Sequence, residues 1–353
     1  MPIIVSDNIE RECANLISIY EDATYLAELL PKYRRNLSGE TIKNVSNDIQ
    51  SYISQAFAFL NETDDRIMTA PLTMYYSACN FAKAIYYIHY PHMTLKGSHG
   101  LSLDNKTAEN IKELALAAVE THDNGAFGGL ICVTGDQLAS GKHFTCKDLF
   151  SIIPELCGMY ALRYSEEPNV YLMKGYKSKE YCYDLLFQTD GFSNKMGERF
   201  SLPAGKGMHL NTTSVGCTLL LSQMCSEEYF NDTTYVDVHG NRYLTSGLFD
   251  GTQYFKMSKI VALYLLYYTF SMLARYYPEE WLRLCEGADS AIIKKVVVDL
   301  RREMLVEVLR YLSDKEYIFE TKLPSSETEL DIHDLWRQLK KEEEREKMRS
   351  GRY

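Results

Sequence analysis

Two long segments, far apart in the chain, are apolar on nearly every face. Residues 70–89 read Ala-Pro-Leu-Thr-Met-Tyr-Tyr-Ser-Ala-Cys-Asn-Phe-Ala-Lys-Ala-Ile-Tyr-Tyr-Ile-His, and residues 257–275 carry an uncharged run from Ile260 to Ala274 between Lys259 and Arg275. A helix without a polar face has to be covered all round, by its own protein or by lipid. The second run is fifteen residues long, short of the roughly 20 that span the hydrocarbon of a bilayer. The pattern therefore predicts two central helices packed on each other and no membrane insertion. Thr69 precedes the first of them, and Pro71 falls in its opening turn, where a missing N–H has no intrahelical partner to lose.

Periodicity divides the rest of the chain around this pair. Residues 1–125 form an N-terminal helical part: Ile9, Cys13, Leu16, Ile17, Tyr20 and Ala27 mark one stripe, with Asp7 and Glu10 as a capping pair. Ile42, Val45, Ile49, Ile53, Ala56 and Leu60 mark a second after a Pro31–Gly39 connection, and Thr107 is placed to cap a helix through Ile111, Leu114, Ala118 and Val119.

Residues 126–253 change texture. Phe127–Val133 reads as a strand and 145–164 as short helices broken at Pro154. From Asn169, β-branched and aromatic runs at 171–173, 181–187, 199–202, 215–222, 235–238 and 243–249 are punctuated by glycines. Residues 254–325 turn helical again, with Pro278 opening a short helix through Trp281 and a long amphipathic helix from Ala288 to Leu312. Residues 326–353 form a charged helical tail with few apolar anchors (Leu330, Ile332, Leu335, Trp336, Leu339), expected to be dispensable for folding. The resulting expectation is an α+β fold, predominantly helical, with an inserted small antiparallel β-sheet.

The formal charge of −10 argues against a surface that coats nucleic acid broadly, but a local basic cleft is compatible with it because salt screens charges beyond about 8–10 Å. The 9 cysteines are scattered, with no C-x-x-C pair, which reads as a reduced cytoplasmic protein without structural zinc. The amino terminus lacks the basic start and long apolar run of a secretory signal.

Sequence motifs for familiar chemistry fall short. A strand-like Leu130–Val133 leads into Gly135-Asp136-Gln137-Leu138-Ala139-Ser140-Gly141-Lys142-His143. One residue too many separates these glycines for a phosphate-cradling loop, and His143 stands where the Mg²⁺-binding hydroxyl belongs. Asp232, Asp237 and His239, and separately His89, His92 and His99, cluster without metal-ligand spacing. There is no G-x-S-x-G elbow for a hydrolase triad. No cofactor is expected.

The more informative constellation is the 70–85 helix followed by Gly97-Ser98-His99-Gly100-Leu101-Ser102, together with Phe270-Ser271-Met272-Leu273-Ala274-Arg275-Tyr276-Tyr277-Pro278-Glu279-Glu280-Trp281. These two motifs, in this order, resemble the bacterial YaaC family, over about residues 40–312. The resemblance implies a helix-rich bacterial cytosolic protein found among housekeeping and phage-defence genes. The Tyr-Tyr helix and Ser-His-Gly loop are also similar to HEPN domains, helical modules that include RNA-cleaving toxins, and this implies an HEPN-like core. HEPN nucleases carry Arg, four to six residues, then His; no histidine of this chain has an arginine at that spacing.

Metal-free RNA cleavage needs a proton acceptor, a proton donor and a cation for the phosphorane. His99 is the candidate for acid/base work and Lys83 and Arg275 for charge stabilisation, with Arg66, Asn80 and Tyr76 as substrate-binding candidates. The structural alternatives are that His99 holds its loop and that Arg275 caps a helix end. The expected role is a component of a stress or phage-defence system that binds or cleaves RNA. The rival is a non-catalytic scaffold that binds a partner protein or a second copy of the chain, and the 27 tyrosines suit base stacking and interface hot spots equally.

Overall fold

The computed structural model describes residues 2–63, 66–104, 111–138, 140–175, 182–186, 208–212, 217–221, 231, 233–249 and 254–320. Its helices are α1 (Ile9–Ile17), α2 (Ala23–Tyr33), α3 (Gly39–Asn61), α4 (Ala70–His89), α5 (Gly125–Thr134), α6 (Cys146–Ile152), α7 (Cys157–Tyr164), α8 (Lys259–Tyr276), α9 (Pro278–Glu286), α10 (Ser290–Lys294) and α11 (Leu300–Ser313). The fold is α+β and mostly helical. None of the helices among the described residues is long and apolar enough to cross a membrane.

The two all-apolar segments become α4 and α8, and they pack against each other at the centre. Tyr75 of α4 meets Tyr264 and Tyr268 of α8 edge to face, with ring centroids 5.7 and 5.2 Å apart. Every residue of α8 from Lys259 to Ser271 is buried. α3, α5 and α11 complete the covering of α4. Burial of one large apolar side chain is worth about 1.5–3 kcal/mol, so this pair anchors the core. Trp281 of α9 is fully buried, and its indole N–H donates to the carbonyl of Ile67, tying α9 to the approach to α4.

Among the described residues four sheets attach to this core. A three-stranded antiparallel sheet joins β2 (Leu101–Leu103), β3 (Ala118–Thr121) and β4 (His143–Thr145). The inserted antiparallel sheet has six strands in the order β7-β8-β6-β5-β10-β9: β5 is Val170–Gly175, β6 Cys182–Leu186, β7 Met208–Thr212, β8 Cys217–Leu221, β9 Thr234–Val236 and β10 Arg242–Thr245. β11 (Leu248–Phe249) pairs with β12 (Tyr254–Phe255). The chain's start, β1 (Ile3–Val5), lies parallel to β13 (Ile318–Glu320), so the two ends of the described chain are stitched together.

Several expectations are corrected. Phe127–Val133 is not a strand but the middle of α5, whose glycines serve close packing: a Cβ on Gly129 would stand 2.7 Å from Leu95 Cδ2 and 3.1 Å from Tyr86. Such glycines weaken the helix signal while permitting the helix contact. The helix expected from Thr107 through Val119 is not formed by its described part. Leu114–Leu116 make a 3₁₀ turn, and Ala118–Thr121 pair on both sides as β3, where Val119 and Thr121 suit a pleated surface.

The first stripe breaks into α1 and α2 around a 3₁₀ turn, with Pro31 inside α2 and Asn8, not Asp7, capping α1 through a 2.9 Å bond from the Arg11 N–H. The 288–312 helix is interrupted by a π turn at Lys295–Asp299. Met208–Thr212 is a strand the pattern missed. The expected strand at 199–202 and the charged tail at 326–353 lie outside the described residues.

Candidate functional site

His99 sits in the loop between α4 and β2, and its backbone is clamped by the start of α5. The Ala126 N–H donates to the Ser98 carbonyl at 3.1 Å, the Phe127 N–H to the His99 carbonyl at 3.2 Å, and the His122 N–H to the Gly100 carbonyl at 2.9 Å. Ser98 Oγ donates to Asn124 Oδ1 at 2.7 Å. The approach is close enough to demand glycine at 125, where φ is +64° and a Cβ would stand 2.0 Å from the Ser98 oxygen. The helix that reads as a strand in sequence is therefore what positions the histidine.

The His99 residue is exposed, but its Nδ1 is 2.6 Å from the hydroxyl of buried Tyr75. Desolvation, then the positive charges of Lys83 and Arg275, hold the His99 pKa below its ordinary value. The ring is thus neutral at pH 7, and Nε2 is the nitrogen available to a substrate. Burial pushes the Tyr75 hydroxyl up, so it stays protonated. Tyr268, from α8, braces the same loop by donating to the Leu101 carbonyl at 3.0 Å.

The three catalytic candidates therefore share one electrostatic neighbourhood. Arg275 Nη1 donates to the Tyr76 hydroxyl at 3.4 Å, and its guanidinium lies 5.0 Å from the Tyr276 ring centre. Tyr76 is half-buried and stacked on Phe59 at 5.2 Å. Lys83 Nζ lies 5.2 Å from the centre of the Tyr52 ring. The other two candidates sit differently. Asn80 is buried and its amide donates to the Tyr76 carbonyl within α4 at 2.9 Å, which occupies it structurally. Arg66 is exposed in the approach to α4, where its carbonyl accepts from Thr69 and Ala70. It lies nine residues before Tyr75, outside α4.

Sequence reasoning missed a second constellation. Lys259, at the start of α8, is 4% exposed and its Nζ meets three carboxylates: Glu155 Oε1 at 3.0 Å, Glu303 Oε2 at 3.0 Å and Glu307 Oε1 at 3.3 Å. Arg310 pairs with Glu307 at 2.5 Å, and Arg302 with Glu303 at 3.2 Å. Burial alone would lower the Lys259 pKa, but the carboxylates outweigh it and raise it, so this lysine is a fixed cation and not a nucleophile. The signal in sequence was the placement of Glu303 and Glu307, four apart, on the apolar stripe of α11. Lys259 and Arg310 line a cleft of about 330 Å³.

The other motifs resolve into local structure. Asp136, in the loop with phosphate-loop-like glycines, accepts from the Ser258 N–H at 3.1 Å and from Ser258 Oγ at 2.6 Å, placing its carboxylate at the amino end of α8. Asp237 accepts from the His239 and Asn241 N–H groups, both at 2.9 Å, as a turn-former does, while Asp232 lies outside the described residues. His89 is bonded to the Tyr311 carbonyl. Among the described residues no group of three or more His, Cys, Asp or Glu could hold a metal ion.

No curated protein and no solved structure matches the chain. A family match covers most of it, including α4, the His99 loop and α8, so the resemblance carried by those motifs is upheld: the chain belongs to the YaaC-like protein family, whose model matches residues 18–312.

Proposed function

We propose that the face built by α4, the 97–100 loop and the carboxyl end of α8 binds single-stranded RNA and cleaves it without metal, as the working site of an HEPN-like core in a prokaryotic stress or phage-defence system. The observation that carries this reading is a neutral imidazole held through Nδ1 by a buried tyrosine, with two cations near enough to depress its pKa. In this role Nδ1–H donates to Tyr75 and Nε2 removes the proton from a 2′-hydroxyl. The 2′-oxygen attacks phosphorus, and the 5′-oxygen leaves with a proton returned by the imidazolium or by water. Lys83 and Arg275 stabilise the phosphorane oxygens, and Tyr76 and Tyr276 offer faces on which unstacked bases rest. Arg66 takes a more distant phosphate. Asn80, committed within α4, has no part in the reaction.

The experiment compares wild type with His99→Ala on a panel of structured and unstructured RNAs, with melting measured on the same preparations. The expected result is wild-type cleavage, reduced roughly 10²–10⁴-fold in the variant, with the fold intact. Because His99 is depressed below its ordinary value, activity persists into mildly acidic solution before the base is protonated.

One observation favours the scaffold reading. Leu162 is 85% exposed, Leu116 55% and Leu282 43%, on segments linked through Asp289, which accepts from Arg163 Nε and the Leu114 N–H at 2.9 Å each, and through Arg283, which donates to the Lys112 carbonyl. Exposed leucines on joined elements suit a protein partner. Absence of RNA binding and cleavage by the wild type would put this reading ahead.

A further inference from the structure

A groove of about 470 Å³ opens between α1, the 3₁₀ turn Ser18–Glu21 and α2 on one side and the end of α11 on the other. Its lining is largely apolar, with Leu16, Ile19, Tyr25 and Leu29 from the first wall and Leu309 and Leu312 from α11. Ile19 is 46% exposed, and Leu16, Tyr25 and Leu29 are only half-buried, although they pack on the core. This edge of the core is left open. Two exposed lysines, Lys32 and Lys315, also line it. The one acid in the lining, Asp314, accepts from the Tyr33 hydroxyl at 2.7 Å and lies 3.8 Å from His89 Nε2. The groove thus offers apolar surface with an excess of positive charge.

The chain passes this groove just before the described residues end. Tyr317 belongs to the lining, β13 follows at Ile318–Glu320, and 33 residues come after Glu320. Within them Ile332, Leu335, Trp336 and Leu339 stand at i, i+3, i+4 and i+7, the spacing by which an amphipathic helix fills an apolar groove. Ser326 and Glu329 have the spacing of a capping box at its start. At about 100° per residue, Glu329 and Asp331 fall on opposite flanks of the apolar stripe. Residues 327–339 carry four acids, Glu327, Glu329, Asp331 and Asp334, against one Arg337. Stripe and flanks complement the leucines and lysines of the groove.

The tether is long enough. Eleven residues separate Glu320 from Ile332, and fully extended they span about 36–40 Å. Glu320 pairs with Val5, and α1, nine residues and so about 13 Å long, leads from near that point to Leu16. A short linker also gives the segment an effective concentration on the order of millimolar. That exceeds the concentration of a second copy in dilute solution, so contacts too weak to hold a separate molecule would hold this one.

We propose that residues 326–339 dock as an amphipathic helix in this groove of their own chain, with Ile332, Leu335, Trp336 and Leu339 on the apolar lining and Glu329 and Asp331 toward Lys32 and Lys315. The proposal does not rest on RNA cleavage at His99. It is compatible with a tail dispensable for folding, because α1, α2 and α11 are built and packed without it.

The test uses the full chain carrying photoreactive benzoylphenylalanine in place of Trp336, with cross-linked peptides identified by mass spectrometry. Cross-links to residues 16–29 or 309–317 are expected, in a band of monomer mass and with a yield independent of protein concentration. Ile19→Glu places a charge in the lining at a position already open to water, and should lower that yield severalfold. In the chain with Trp336 retained, the same variant should raise acrylamide quenching of tryptophan fluorescence, the fully buried Trp281 supplying an unchanged background. The Lys32→Glu, Lys315→Glu double variant and added salt should each lower the yield as well. Melting of every variant is checked alongside. Absence of cross-links to the groove overturns the proposal, and so does a yield that neither Ile19→Glu nor the double lysine variant changes. Cross-links confined to dimers, with a yield rising with concentration, would give the groove to a second copy and overturn it equally.

Discussion

The imidazole Nδ1 of His99, on the surface, lies 2.6 Å from the hydroxyl of Tyr75, which is 3% exposed. A core residue thus chooses which nitrogen of a surface residue is open to solvent, because the bond made by one ring nitrogen sets the state of the other. Tyr75→Phe keeps the ring that packs on Tyr264 and Tyr268 and removes the hydroxyl that makes this bond. It should cost about 0.5–1.5 kcal/mol in unfolding experiments. The sharper readout is the nitrogen NMR spectrum of His99, whose two ring signals should be well separated in the wild type and move toward a tautomer average in the variant. Unchanged ring signals would mean that Tyr75 does not position the histidine.

Lys259 joins three elements that are remote in sequence: α8, α11, and the Pro154–Leu156 turn before α7. Replacing it with Met would leave three carboxylates facing one another out of water. Removing one partner of a buried ion cluster typically costs about 3–5 kcal/mol, and the loss should appear as a large fall in the denaturant midpoint. Adding Glu303→Met should recover part of that loss by deleting one stranded charge. A single variant within about 1 kcal/mol of wild type would show that water reaches the cluster and screens it.

The same lysine marks where sequence reasoning stops. The apolar run 260–274 is flanked by Lys259 and Arg275, and as a pattern the two flanks are equivalent: each is a charge at the edge of a buried helix. In the fold Arg275 is exposed beside Tyr76, whereas Lys259 is buried. What separates them is the arrival of Glu155, Glu303 and Glu307, and no local periodicity records that. The core was legible because apolarity on every face leaves one physical outcome. The His99 loop was legible through its Ser-His-Gly motif, yet its support was misread, since Gly125, Gly128 and Gly129 erase the helix signal of the very segment that clamps it. The strand β3 was hidden for a similar reason: Val119 and Thr121 favour a strand only once β2 and β4 lie on either side.

Glu155 provides a pH-dependent test of the buried cluster. Burial is the main cause that pushes its pKa up to about 7; Lys259 opposes this and Glu303 adds to it. An acid whose folded pKa exceeds its unfolded value binds more protons in the folded state, so its contribution to stability is complete below the unfolded pKa, near 4.5, and is lost as pH rises through about 7. Glu303 has the opposite sign: Lys259 overcomes burial and holds its pKa below the ordinary value, so its contribution is lost only as the solution becomes more acidic than that range. His99, depressed as a base, also loses stability toward acid. The raw melting curve therefore mixes signs, but the difference between wild type and Glu155→Gln isolates one of them. Since Gln is never ionised, the wild type should lose stability relative to the variant as pH is raised from about 5 to 8. A difference between the two melting temperatures that stays constant over this range would place the Glu155 titration elsewhere.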